Sequence, residues 1–258
     1  MAADDYKQWL DIDFSTQPQY VYGDTGPQAE TFCSIYEDSV PVLSDADIKA
    51  AIQAEEAAGG GADLLVSRIY NQKQEGSCVA NACCQSHEIV QATQYGKDKV
   101  VHLSAISLYK RIGRSPGSGA SVSNGLQELS GRGALPLDNP ENRARWGDKV
   151  MQNTGFYEKF PADWENTANH FKIVEHHVIR SLEGMKTALV LGHPVVVGRQ
   201  GHSICYCRLM LKGGRLVTKY ANSWGNWGDN GFGYDSEGQM RMSAGWAFAV
   251  RTVKRELP

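Results

Sequence analysis

NQKQEGSCVANACCQSHEIVQATQYG, residues 71–96, is the stretch on which the reading of this chain turns. Its first seven residues are polar with one glycine, the composition of a loop. From Cys78 onward, apolar and small residues fall at 79, 82, 83, 86, 89, 90 and 93. That is helical spacing, and Gly96 is a stop signal. Cys78 therefore stands where a loop enters a helix. A cysteine attacks carbonyls as the thiolate, and an ordinary thiol with a pKa of about 8.5 is mostly protonated at neutral pH. The amino-terminal end of a helix favours the anion. Cys83 and Cys84 lie more than a turn further in. On composition alone, Cys78 reads as a small buried hydrophobe, so the rest of the chain has to decide.

Upstream, residues 1–43 carry scattered aromatics, prolines and glycines without a period and read as an irregular arm. Ser44 caps a short helix, DADIKAAIQAEEAA, which stops at Gly59, Gly60 and Gly61. DLLVSRIY is then expected to be extended. Downstream, VHLSAISLYKRIG predicts a helix capped by Ser104, and SPGSGASVSNG a loop entering a helix around Leu126 to Leu129. After about residue 166 the pattern changes. FKIVEHHVI alternates as a strand, SLEGMKTALVLG reads as a helix and PVVVG as a short strand. SICYCRLMLKGGRLVTKYAN reads as two strands joined at Gly213 and Gly214, and GWAFAVRTV as a closing strand. Helices first and strands later predict an α+β protein with a helical half and a sheet or barrel half. The division expected is an arm over residues 1–60, a helical part over 61–165 and a β-rich part over 166–258. A cleft between two such halves is a common place for an active site.

The chain has 258 residues, with 41% hydrophobic and 21% charged side chains and a formal net charge of −3. These values are those of an ordinary globular protein and give no electrostatic reason to expect nucleic acid. No run approaches the roughly 20 apolar residues that would cross a bilayer. The acidic start, MAADDYKQWLDID, lacks the charged and apolar regions of a secretory signal, so a cytoplasmic location is expected. Six cysteines are present, at 33, 78, 83, 84, 205 and 207. Their spacing does not suit a disulfide scaffold, and they read as free thiols of a reducing compartment. Zinc is the alternative for the 83/84 and 205/207 pairs, but no CxxC occurs, and these cysteines fall in expected core elements. No cofactor or metal is expected.

Three further segments bring Cys78 into a pattern. In NQKQEGSCVA, Gln72 lies six residues before the cysteine, and Gly76 and Ser77 immediately precede it. GHS, residues 201–203, leads into an alternating strand. NSWGNWGDNGFGY, residues 222–234, starts with Asn222 and carries Trp224. In these segments, and in the order Cys, His, Asn, the chain resembles the papain-like cysteine peptidases over roughly residues 64–253. The resemblance implies a papain-like fold with Cys78 as nucleophile, His202 as its base and Asn222 orienting the histidine. It also implies an oxyanion hole made by the Cys78 N–H and the Gln72 side chain. Trp224 would shield the His202–Asn222 pair. Gly76, Gly119 and Ala120 would line the substrate, with Gly119 and Ala120 on a loop whose backbone pairs with a peptide. Gln74 is the rival for Gln72. His87, His102, His170, His176, His177 and His193 have no such context. Adjacent His176 and His177 on a strand point to opposite faces. The expected function is a cysteine endopeptidase acting on polypeptide. A cell-wall peptide or amide hydrolase with the same chemistry, or a catalytically silent scaffold, are the alternatives.

The chain departs from the family at three places. Val79 stands where a tryptophan is usual. Glu75 stands where secreted members carry a half-cystine. In PVVVGRQ only Arg199 and Gln200 lie between the short strand at 194–198 and the GHS segment, where the family inserts some twenty residues that wall the cleft. The amino-terminal part lacks the long helical pattern of the family's prodomain. Residues 1–60 are expected either to pack against the body or bind a partner, or to thread the cleft as a short self-inhibiting arm cut after the glycine run. A chain of this kind would also suit delivery in a virion or by a specialised secretion system.

Overall fold

The computed structural model describes residues 5–17, 23–25 and 33–257. Helices α1 (Tyr36–Ser39), α2 (Asp45–Ala57), α3 (Cys78–Tyr95), α4 (Ala105–Ile112), α5 (Val122–Gly131), α6 (Pro140–Trp146) and α7 (Trp164–Ala168) come first. Strand β1 (Phe171–Ile179), helix α8 (Leu182–Val190), and strands β2 (Val195–Arg199), β3 (His202–Lys212), β4 (Arg215–Ala221) and β5 (Phe232–Ser236) follow. Helix α9 (Glu237–Ser243) and strand β6 (Ala247–Arg255) close the chain. The strands form one antiparallel sheet in the order β1-β6-β2-β3-β4-β5. The α+β architecture expected from the sequence is the one observed.

Local signals explain most boundaries. Ser44, Ser104 and Ser121 each accept a hydrogen bond from a backbone N–H in the first turn of α2, α4 and α5. Gly96 ends α3 at φ +97°. Gly213 and Gly214, both at positive φ, turn β3 into β4 as the double glycine predicted. DLLVSRIY is a correction. It opens as a 3₁₀ turn, Ala62–Leu65, and enters no strand. Asp63 in that turn is drawn in by Arg208 and Lys219, at 3.1 and 3.0 Å, and these charges outweigh the extended preference of the apolar residues.

The sheet separates two cores. In β2, Val196 faces the core shared with α3, α4 and α5, while Val195 and Val197 face the one shared with α2 and α8. Cys205 and Cys207 lie on one face of β3, towards α3, as strand alternation requires. Helix α2, which lies within the first 60 residues, packs on α8 and β3 through Ile48 and Ile52.

Helix α3 is buried at every position from 78 to 92, where the spacing predicted one buried face. Asn81, Ser86, His87, Glu88 and Gln91 are bonded within the protein, while the buried Gln85 amide has no partner among the described residues. Gln91 accepts from the Val101 N–H and donates to the Val101 carbonyl, both at 3.0 Å. The Glu88 carboxylate accepts from the Tyr70 hydroxyl at 2.5 Å and the Leu103 N–H at 2.8 Å, and lies 3.1 Å from His102 Nδ1. Arg68 lies 3.5 Å away and stacks over Tyr70. This cluster ties Arg68 and Tyr70, just before Gln72, to helix α3. Burial alone would push the Glu88 carboxyl up, but Arg68 and His102 outweigh it and hold it at about 2, below its ordinary 4.5. A depressed folded value stabilises above the unfolded pKa, and the contribution is lost as pH falls from about 4.5 towards 2. Glu88→Ala is expected to cost about 3 kcal/mol in urea unfolding at pH 7, because it strips a buried charge of its partner. The deficit should shrink on titration to pH 3.

Candidate active site

Cys78 is the first residue of α3 and is fully buried. Behind it, Val79 packs against Gly125 of α5. A Cβ on that glycine would lie 2.8 Å from Val79 Cγ1, so α5 closes the space a larger residue at 79 would fill. His202 opens β3 and is also fully buried. Its Nε2 lies 2.7 Å from Asn222 Oδ1, which also accepts from the Ser223 N–H at 2.7 Å. Only an oxygen can accept from a backbone N–H, so the second bond fixes the amide orientation. Asn222 therefore selects the Nε2–H tautomer of His202 and leaves Nδ1 as the basic nitrogen. Trp224 stacks on the His202 ring, centroids 4.4 Å apart at 27°.

Gln72 is buried beside this pair. Its N–H donates to the Ser223 carbonyl at 2.8 Å, and its Oε1 accepts from the Ser223 hydroxyl at 2.5 Å. Its Nε2 donates to the Glu75 carbonyl at 2.7 Å. Gln74 faces solvent. Glu75 binds the facing loop, its carboxylate accepting from the N–H groups of Gly155 and Phe156 at 2.8 and 3.0 Å. The other histidines have partners elsewhere. His87 bonds Gln91, His102 meets Glu88, and His170 meets Glu256. His176 bonds Ser130, His177 meets Ser34 and Glu175, and His193 bonds Tyr36.

The substrate loop expected at Gly119 and Ala120 carries a peptide strand, and it is the chain's own. The Ala120 N–H donates to the Gly23 carbonyl at 2.6 Å, and the Thr25 N–H donates to the Ala120 carbonyl at 2.9 Å. Across the cleft, the Asp24 N–H donates to the Gly201 carbonyl at 2.8 Å. Residues 23–25 thus run parallel to the loop and lie over Cys78. The fit is close. A Cβ at Gly23 would lie 1.8 Å from the Gly76 carbonyl oxygen, and one at Gly119 would lie 2.5 Å from that of Gly23.

With this strand in place both reactive groups are dry. Burial pushes the Cys78 thiol up to about 12, with the Asp24 carboxylate adding to it. The N–H groups of Ser203, Gly23 and Val79 at the sulfur oppose the shift without cancelling it. Burial pushes the His202 imidazole down to about 4, against the Asn222 bond and with Arg199 assisting. The resting pair is a thiol and a neutral imidazole. The remaining thiols on these elements, Cys83, Cys84, Cys205 and Cys207, sit in the core and are pushed up by burial. None of the six cysteines is joined in a disulfide, and no group of three or more metal-ligating side chains occurs among the described residues.

Sequence reasoning missed Phe14, Asp24, Arg199 and Gln200. The side chain of Phe14 packs edge-to-face on His202, centroids 4.8 Å apart. No local signal marks that contact, because the two residues are distant in the chain.

No protein-family model matches the sequence, and no curated protein does. Solved structures match it along most of its length. Xylellain, a cysteine protease from Xylella fastidiosa, is 18% identical with a TM-score of 0.61, over 92% of this chain and 97% of that one. The procathepsin L2 proteinase of the Tenebrio molitor larval midgut is 14% identical with a TM-score of 0.62, over 93% and 80%. The recombinant stem bromelain precursor is 14% identical with a TM-score of 0.59, over 95% and 81%.

Proposed function

We propose that this chain, which has the papain-like fold, is a cysteine peptidase that holds itself closed with residues 23–25. The observation that carries the reading is the strand over Cys78, an extended polypeptide bonded through its backbone to both walls. A cleft that takes a main chain this way suits polypeptide substrates. Once the strand lifts, water and substrate reach Cys78 and His202, and the penalties of burial on both groups fall. His202 Nδ1 takes the thiol proton, and the Cys78 sulfur attacks the peptide carbonyl. The Cys78 N–H and a Gln72 Nε2–H stabilise the oxyanion. His202 returns the proton to the leaving amine, and water then hydrolyses the thioester.

The test combines labelling and cleavage in reducing buffer, with a thiol-directed epoxide and denatured casein, on the parent chain and on Gly23→Val. A side chain at 23 collides with Gly76, so the strand cannot keep its place. Its three backbone bonds to the walls are worth about 1 kcal/mol each. Their loss is expected to raise the labelling rate of Cys78 on the order of 10²-fold. The pH midpoint of labelling should move down, since burial and Asp24 hold the thiol up in the closed form. Casein cleavage should rise in parallel. A folded Gly23→Val chain that neither labels at Cys78 nor cleaves would reject the peptidase reading.

A further inference from the structure

We propose that residues 5–17 are a permanent wall of the cleft, separate in role from the strand at 23–25, with Phe14 a positioning residue for His202. The inference rests on the peptidase reading but concerns a different part of the arm. Between β2 and β3 the chain has only Gln200 and Gly201, so the sheet half supplies little wall beside His202. The first described segment occupies that side. Phe14 is fully buried and packs edge-on against His202 at 4.8 Å and against Trp224 at 5.4 Å. Together with the stacked Trp224, it confines the imidazole from two adjacent sides.

The segment is anchored as a core element would be. The Phe14 N–H donates to Gln200 Oε1 at 2.9 Å. Arg199 Nη2 donates to the Ile12 carbonyl at 2.5 Å, and Nη1 to Asp235 Oδ1 at 2.6 Å. The Arg199 guanidinium also lies 4.5 Å from the Phe14 ring centre. The Asp11 N–H donates to the Tyr234 carbonyl, and the Ser236 N–H to Asp11 Oδ1. Tyr6 packs on Tyr234 and Trp9 on Trp227. By contrast, backbone bonds to loops tie 23–25 to the walls. Lifting one part does not require lifting the other.

The wall has a chemical consequence. When His202 takes the Cys78 proton it becomes a cation, stabilised by the face of Trp224 stacked on it. Trp224 and the edge-on Phe14 also fix the ring plane, and a misplacement of about 1 Å at a reacting group can cost on the order of 10²-fold in rate.

Two experiments on the full chain in the Gly23→Val background test this. In the first, a specific protease site replaces residues 18–22. After cutting, the fragment bearing residues 5–17 is expected to co-elute with the body in gel filtration. In the second, Phe14→Leu, which keeps bulk without a ring, is expected to lower kcat about tenfold with KM within about twofold. It should move the pH midpoint of Cys78 alkylation up by about half a unit, as an imidazole no longer held in place pairs less well with the thiolate. Phe14→Tyr should recover most of both effects. A fragment that leaves without loss of rate overturns the proposal. So does a folded Phe14→Leu chain with the parent's rate and midpoint. If the Gly23→Val parent neither labels nor cleaves, the peptidase reading fails, and fragment retention still reports on the wall.

Discussion

Cys78→Ala, made in the Gly23→Val background, is expected to lower peptide-bond cleavage by a factor on the order of 10⁴–10⁶. Cys78 alone among the thiols stands at the start of α3, with the backbone N–H groups of Ser203, Gly23 and Val79 at its sulfur. Cys83, Cys84, Cys205 and Cys207 are buried in the core, and burial keeps each of them protonated, so none can substitute. Cys33 lies against the His176 carbonyl on β1. Epoxide labelling should vanish with the cleavage, while the urea midpoint stays near the parent's. Residual cleavage above about a tenth of the parent's would place the nucleophile elsewhere.

Gln72→Ala is expected to lower kcat on the order of 10²–10³-fold, the usual cost of removing one oxyanion donor. The side chain is held for this work. Ser223 binds its oxygen, and the Glu75 carbonyl takes one N–H of its amide nitrogen. Alkylation of Cys78 by a small iodoacetamide passes through no oxyanion, so its rate should change less than tenfold. Equal losses in alkylation and in hydrolysis would mean that Gln72 only supports the loop. Gln74→Ala, on the solvent side, should match the parent in both assays.

The elements of the helical and sheet halves were legible where their signals are local. Serine caps, a stopping glycine, the Gly213–Gly214 turn and the spacing after Cys78 depend on neighbours in sequence. The polar face of α3 was harder. Glu88 and Gln91 look like solvent residues until residues 101–103 come round to bond them. Strand β5 went unread. Its Gly233 is there because a Cβ would strike the Tyr220 ring at 2.3 Å, a reason that lies on β4. The motifs picked out Cys78, His202, Asn222 and Gln72, and the structure brings all four to one place. They could not reveal Phe14, whose N–H bonds a residue 186 positions away. Nor could they show that Gly23 is the residue that lets the chain lie over Cys78.

The strand at 23–25 is tied to the body on both sides. Residues 10–14 are bonded to the β3–β5 side, while the Ser34 carbonyl accepts from the Val178 N–H of β1. Opening is therefore an isomerisation within one molecule, and the closing strand never drifts away. Dilution leaves its local concentration, on the order of millimolar for a short tether, untouched. Onset of activity in the intact chain should follow first-order kinetics at any protein concentration. A cut between the two ties makes the opening effectively irreversible, because only one anchored end then remains to bring the strand back.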